Sequence, residues 1–131
     1  MKLTKEEAIR RHRMMWKWIA NETLRRRRCV RDWEAFDHFR WNYYAAFEHE
    51  WCCEYAGRAA KADGEKIQTC RYCPIRWNIY SEHATCVNPP DHNVVYPLSG
   101  LLAYWSFAVN KDDWRTAAYY ALYISMLPEK K

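Results

Sequence analysis

The sequence predicts a mainly helical fold: a long N-terminal helix, a central loop region organised by zinc, and a C-terminal helical hairpin. Three observations carry that prediction. Glycine is scarce, at three residues, and aromatics reach 17%, which argues against both disorder and a turn-rich β-sandwich. Bulky apolar residues recur at steps of three and four in the first and last thirds, the period of a helix with one buried face. Five cysteines gather between Cys52 and Cys86, where a shared metal would organise the chain. At 131 residues the length suits one domain, 1–131, able to bury a core without disulfides.

The first element begins at a capping box, Thr4-Lys5-Glu6-Glu7. The Thr4 hydroxyl is placed to accept from the Glu7 N–H while the Glu7 carboxylate reaches back. Leu3 and Ala8 are spaced as a hydrophobic staple, and Glu6–Arg10 and Glu7–Arg11 as favourable ion pairs. Ala8, Met15 and Ile19, with Trp16 and Trp18, mark an apolar face opposite the arginines, so a helix is expected over 5–28. Residues 31–50 carry Trp33, Phe36, Phe39, Tyr43, Ala46 and Phe47 without a Gly or Pro. They predict a second helix, with Cys52-Cys53 at or just beyond its C-terminal end.

Asp63-Gly64 marks a turn, and 70–90 reads as irregular chain punctuated by Pro74 and Pro89-Pro90, with Pro97 beyond. A loop of that length inside a compact domain needs a reason, and a metal supplies one. Ser99-Gly100 introduces a helix carrying Leu101, Leu102, Trp105, Ala108 and Val109. Asn110-Lys111-Asp112-Asp113 then starts another, whose apolar face is Trp114, Ala117, Ala118, Ala121, Leu122 and Ile124, before Pro128 ends it. So short a link predicts an antiparallel hairpin.

Zinc takes four tetrahedral ligands, and a C-x-x-C turn offers two thiolates with little strain. Cys70-Arg71-Tyr72-Cys73-Pro74 provides that turn. Cys53 and Cys86 are the preferred completion, with Cys52 or His49 able to replace either; Cys29 stands apart as a free thiol. Residues 49–90 thus form the zinc-organised segment. The first residues have no apolar h-region, and no stretch reaches the ~18 apolar residues of a membrane span. A soluble, cytoplasmic protein is expected, in which cysteines point to metal before disulfides. A closed thiolate site is structural, leaving no open position for water.

Catalytic patterns are not found: there is no G-x-S-x-G, phosphate loop, dinucleotide fingerprint or EF-hand, and His12, His38, His49, His83 and His92 are scattered. A non-enzymatic protein is expected. Its net charge of +5 is uneven, with Arg10, Arg11, Arg13, Lys17, Arg25, Arg26, Arg27, Arg28 and Arg31 all in the first quarter. Arg10, Arg13, Lys17 and Arg25 to Arg28 are candidates for contact with nucleic acid or an acidic protein, with Trp16 and Trp18 placed to stack on unpaired bases. The plainer alternative is a solvated helix face. Tyr43, Tyr44, Trp51, Tyr55, Tyr104, Tyr119, Tyr120 and Tyr123 exceed what one small core comfortably buries, which points to a surface for protein contact.

Lys5-Glu6-Glu7-Ala8-Ile9-Arg10, Met15-Trp16-Lys17-Trp18-Ile19-Ala20, Cys53-Glu54-Tyr55-Ala56, Cys70-Arg71-Tyr72-Cys73-Pro74-Ile75-Arg76-Trp77 and Leu127-Pro128-Glu129 form a series. It resembles a family of small uncharacterised proteins encoded by bacteriophages and prophages, chiefly of Gram-positive hosts. The chain departs from the expected second C-x-x-C, because Glu50 stands there and Cys52 precedes Cys53. The resemblance implies a small zinc-stabilised accessory protein. Proteins of that class often bind and block host machinery, including CRISPR and other antiviral systems, so a host protein is the expected partner and inhibition the expected function.

Overall fold

The computed structural model describes residues 3–41, 51–64, 72–77 and 101–130. Five helices account for most of them: α1 (Lys5–Arg26), α2 (Asp32–Phe39), α3 (Trp51–Ala62), α4 (Leu101–Asn110) and α5 (Trp114–Ser125). The fold is mainly helical, with the long first helix and the packed C-terminal pair that the sequence predicts.

The start of α1 is half the expected box. Thr4 Oγ1 accepts from the Glu7 N–H at 3.1 Å, and Leu3 and Ala8 are both buried. The Glu7 carboxylate, however, turns to Arg10 at 2.6 Å and Arg11 at 2.7 Å instead of reaching back. Two guanidinium partners outweigh one backbone N–H. The buried stripe is Ala8, Ile9, His12, Met15, Trp16, Ile19, Ala20 and Thr23, steps of three and four throughout. His12 belongs to the core: its ring nitrogen Nε2 lies 3.1 Å from the Ile124 carbonyl oxygen.

Arg27 ends α1 in the left-handed conformation (φ 52). The turn into α2 is fastened from inside, where the buried Thr23 hydroxyl accepts from the Val30 N–H at 3.3 Å. Glu34 accepts from the Arg31 N–H at 2.8 Å, the reaching-back half of a capping box.

The second helix is shorter than the predicted 31–50. Arg40 adopts φ 56, its N–H bonds the Asp37 carbonyl at 3.3 Å, and the Trp41 N–H bonds Phe36 at 3.0 Å. That pair of bonds is a Schellman motif, which stops a helix by satisfying its last carbonyls. Trp33 is 54% exposed, outside the buried face assigned to it. Cys52 and Cys53, expected at or just beyond the C-terminal end of the second helix, lie instead in the first turn of α3, inside the segment expected to be organised as loop by zinc.

Asp112 (φ 56) ends α4 with a second such motif, its N–H bonding Val109 at 3.0 Å and the Asp113 N–H bonding Ala108 at 2.9 Å. Asp113 then caps α5, its Oδ1 accepting from the Thr116 N–H at 3.2 Å. α1 is the hub, packing most extensively on α5 and also against α2 and α3, while α4 closes on α5. Ala117, Ala118 and Ala121 on α5 are buried, and such short side chains let helix axes approach closely. Trp16 meets Trp105 edge to face, with centroids 4.8 Å apart.

The short segment 72–77 straps across this core. Ile75 pairs with Glu129 in an isolated antiparallel bridge. The Arg76 N–H donates to Pro128 and the Lys130 N–H to Pro74, each at 2.8 Å. Ile75 and Trp77 are buried beneath it, and Trp77 meets His12 edge-on at 5.7 Å.

Candidate functional site

Of the four preferred metal ligands, Cys73 is the one whose surroundings are described. It sits at the head of the strap, buried, and its sulfur accepts from the Trp77 indole N–H at 3.4 Å. An N–H aimed at sulfur is the polarity that suits a thiolate, and such outer hydrogen bonds orient metal ligands. Pro74, directly after it, is held by the Lys130 bond, so the exit of the C-x-x-C turn is fixed to the chain's last described residues. Cys70, Cys86 and His49, together with the side chain of Cys53, lie outside the described residues. Cys52 is fully buried, with Sγ 3.9 Å from the Ala8 carbonyl oxygen, and so faces α1. Among the described residues no three His, Cys, Asp or Glu side chains converge as a metal group. Cys29 is a free thiol at the α1–α2 turn; burial first, and Asp112 second, push its pKa up, which keeps it protonated and unreactive at neutral pH.

The basic residues of α1 divide into two groups. Arg10 and Arg13 line a cleft of about 370 Å³ with Lys5, Glu6, Ile9, Met14 and Glu129, and Arg13 lies 3.8 Å from Glu129. The C-terminal group is laced to carboxylates. Glu22 takes Arg25 at 2.7 Å and Arg26 at 3.1 Å, and Glu34 takes Arg28 at 2.8 Å. Lys17 and Arg27 have no such partner among the described residues. Trp16 is buried in the core and cannot stack on a base; Trp18 is half-buried, lies at the edge of the helix and stacks flat on His38 at 4.6 Å.

These pairs set the acid behaviour of the helix. The Arg10 hydrogen bond, then that of Arg11, holds Glu7 down at about 2, and Arg25 foremost does the same for Glu22. Because the folded value lies below the ordinary 4.5, their contribution is present above pH 4.5 and is lost as pH falls through about 2. Carboxyl-carbon NMR titration should show Glu7 and Glu22 with midpoints near 2. Midpoints near 4.5 would mean the pairs do not persist in solution.

The third feature is an apolar face on the C-terminal hairpin. Tyr119 (64%), Leu122, Tyr123 and Met126 (72%) are exposed at i, i+3, i+4 and i+7, one stripe of helical surface. From α4, exposed Tyr104 joins it by stacking on Tyr120 at 5.7 Å, and Phe107 is exposed one turn further. Tyr104, Tyr119, Tyr120 and Tyr123 were candidates from the sequence; Trp51 is buried instead, and Tyr43 and Tyr44 lie outside the described residues. Leu122, assigned to the inner face, points outward. Its signal was present in the sequence: between Arg115 and Glu129 the chain has no charged residue, so the helix has no polar side to give to water.

No helix among the described residues is long and apolar enough to cross a membrane. Compared with protein-family models, curated proteins and solved structures, the chain finds no match.

Proposed function

We propose that the chain is a non-enzymatic binding protein that grips a protein partner through the α4–α5 face, its middle held by a structural zinc on Cys53, Cys70, Cys73 and Cys86. One observation carries the binding role. The core side of α5 is buried in Ala117, Ala118, Ala121 and Ile124, and its opposite side is apolar too. A helix apolar all round is one that is covered on both sides. The exposed fractions of Tyr104, Phe107, Tyr119, Leu122, Tyr123 and Met126 expose several hundred Å² of largely apolar surface, the size at which a patch marks a contact site. Tyrosine and methionine are also the residues that fit such contacts, rigid rings beside an adaptable thioether.

The partner's matching surface is an apolar, weakly charged helix face. By the phage-family resemblance it belongs to a host-cell protein, in antiviral defence, and occupation of that protein's working surface would inhibit it. Tagged wild-type chain and a Tyr119→Glu/Met126→Glu variant, each incubated in host lysate, provide the test. Both positions are exposed, so the variant should melt within about 1 kcal/mol of wild type while losing every partner the wild type retains stoichiometrically. Identical partners on both proteins would overturn the assignment. A concentration-dependent dimer abolished by the same variant would make a second copy of the chain the occupant.

A further inference from the structure

The seam between α1 and α2 has a chemistry that the protein-binding face does not use. The two helices run antiparallel: Arg26 and Arg28 meet Glu34 at one end, and Trp18 meets His38 at the other. Along the seam lie two flat ring pairs, Trp18 on His38 at 4.6 Å and Phe39 on Trp41 at 4.5 Å, each within 21° of parallel. His38 and Phe39 join the pairs edge-on at 4.7 Å. His38 is exposed, and Trp18, Phe39 and Trp41 are half-buried, so the stack is open to solvent at His38.

Cations alternate with these rings. Arg11, Trp18 and Arg25 are seven residues apart on one line of α1, about 21 Å from end to end at 1.5 Å per residue. The Arg26 guanidinium lies 5.9 Å from the Trp18 centroid and that of Arg11 5.7 Å from Trp41. Glu22 and Glu34 answer only part of the charge of Arg25, Arg26, Arg27 and Arg28, and Lys17 and Arg27 are left without a carboxylate among the described residues. Stacking rings set among cations that outnumber their carboxylates suit a strand whose base faces are open and whose backbone is anionic. A duplex hides its base faces and offers the rings nothing.

We propose that the α1–α2 seam binds single-stranded nucleic acid, with an unpaired base extending the Trp18–His38 stack and Lys17, Arg25 and Arg27 meeting the phosphates. The site is separate from the α4–α5 face and does not depend on it.

Fluorescence anisotropy of the full chain with a labelled oligothymidylate of about 15 nucleotides and with a duplex of equal length decides the matter. The single strand should bind more tightly than the duplex. Its log affinity should fall against log salt with a slope of about −2, as for roughly three phosphates. His38→Ala should weaken binding about tenfold, the loss expected for one stacked base, and Arg25→Glu/Arg27→Glu should weaken it further and flatten the slope. Arg115→Glu on α5, outside the seam, should change nothing, and Tyr119→Glu/Met126→Glu should bind the oligonucleotide as the wild type does. His38 is exposed, so its variant stays decisive even where Trp18→Ala unfolds. Equal affinity for duplex, an unaltered His38→Ala, or no binding at about 50 mM salt would each overturn the proposal.

Discussion

Replacing Trp16 by alanine should cost about 3–5 kcal/mol, the range for deleting a large buried aromatic, and a domain of this size has only about 5–15 kcal/mol to lose. Trp16 is wholly inaccessible on α1 and meets Trp105 of α4 ring-to-edge at 4.8 Å. Its removal therefore leaves a cavity where the hub helix meets the C-terminal hairpin, and it deletes an aromatic pair worth about 0.5–1.5 kcal/mol beyond area. Trp16→Phe should behave differently. The Trp16 indole nitrogen is buried without a hydrogen-bond partner among the described residues, a condition that costs about 1–3 kcal/mol for a polar group. Phenylalanine loses ring volume but also removes that penalty, so the two effects offset and the net loss should be about 1 kcal/mol. Urea unfolding at constant m-value measures both. Should Trp16→Ala shift the midpoint by no more than Trp16→Phe does, the α1–α4 contact is not tightly packed in solution.

The contrast between Trp16 and Trp18 shows what the sequence could and could not convey. Both lie on one helix, and the apolar period admits either to the core face. They stand 200° apart, so one must face away, and only the packing of α5 selects which. The start of α1 was legible because Thr4 and the Leu3–Ala8 spacing are local chemistry. The end of α2 was not, because an arginine occupies the left-handed position usually given to glycine. α3 was hidden for a related reason: Cys52-Cys53 reads as a metal loop, and its helical stretch contains Gly57. On the C-terminal hairpin the reverse occurred, since the apolar period identified α5 but its excess of apolar residues obscured which side is exposed. The cysteine motif was readable as spacing, whereas the strap that anchors Cys73 depends on pairing with residues 128–130, far along the chain.

That strap makes the consequence of metal loss specific. Native mass spectrometry of protein purified without added metal should show one zinc per chain, and Cys73→Ser should abolish it while Cys29→Ser, a free thiol at the α1–α2 turn, should not. Cys73 heads a segment whose Ile75 and Trp77 are buried and whose backbone is bonded to Pro128 and Lys130. A metal at Cys73 would anchor the head of the strap, where residues 128–130 hold the segment that follows it. Without the metal, the strap would keep the Ile75–Glu129 bridge, made by its two hydrogen bonds to Pro128 and Lys130, and Trp77 would leave its contact with His12 more readily. Structural zinc contributes on the order of 10 kcal/mol in small domains that fold around it. This chain has a helical core of its own, so the expected result is partial. Stripping zinc with a strong chelator should remove several kcal/mol, expose tryptophan to solvent and leave the helical signal of α1 and α5 largely intact. Full unfolding would instead mean that the helices depend on the metal for their packing. A metal-free chain with an unchanged melting temperature would show that Cys73 is a buried thiol, and the zinc assignment would fall.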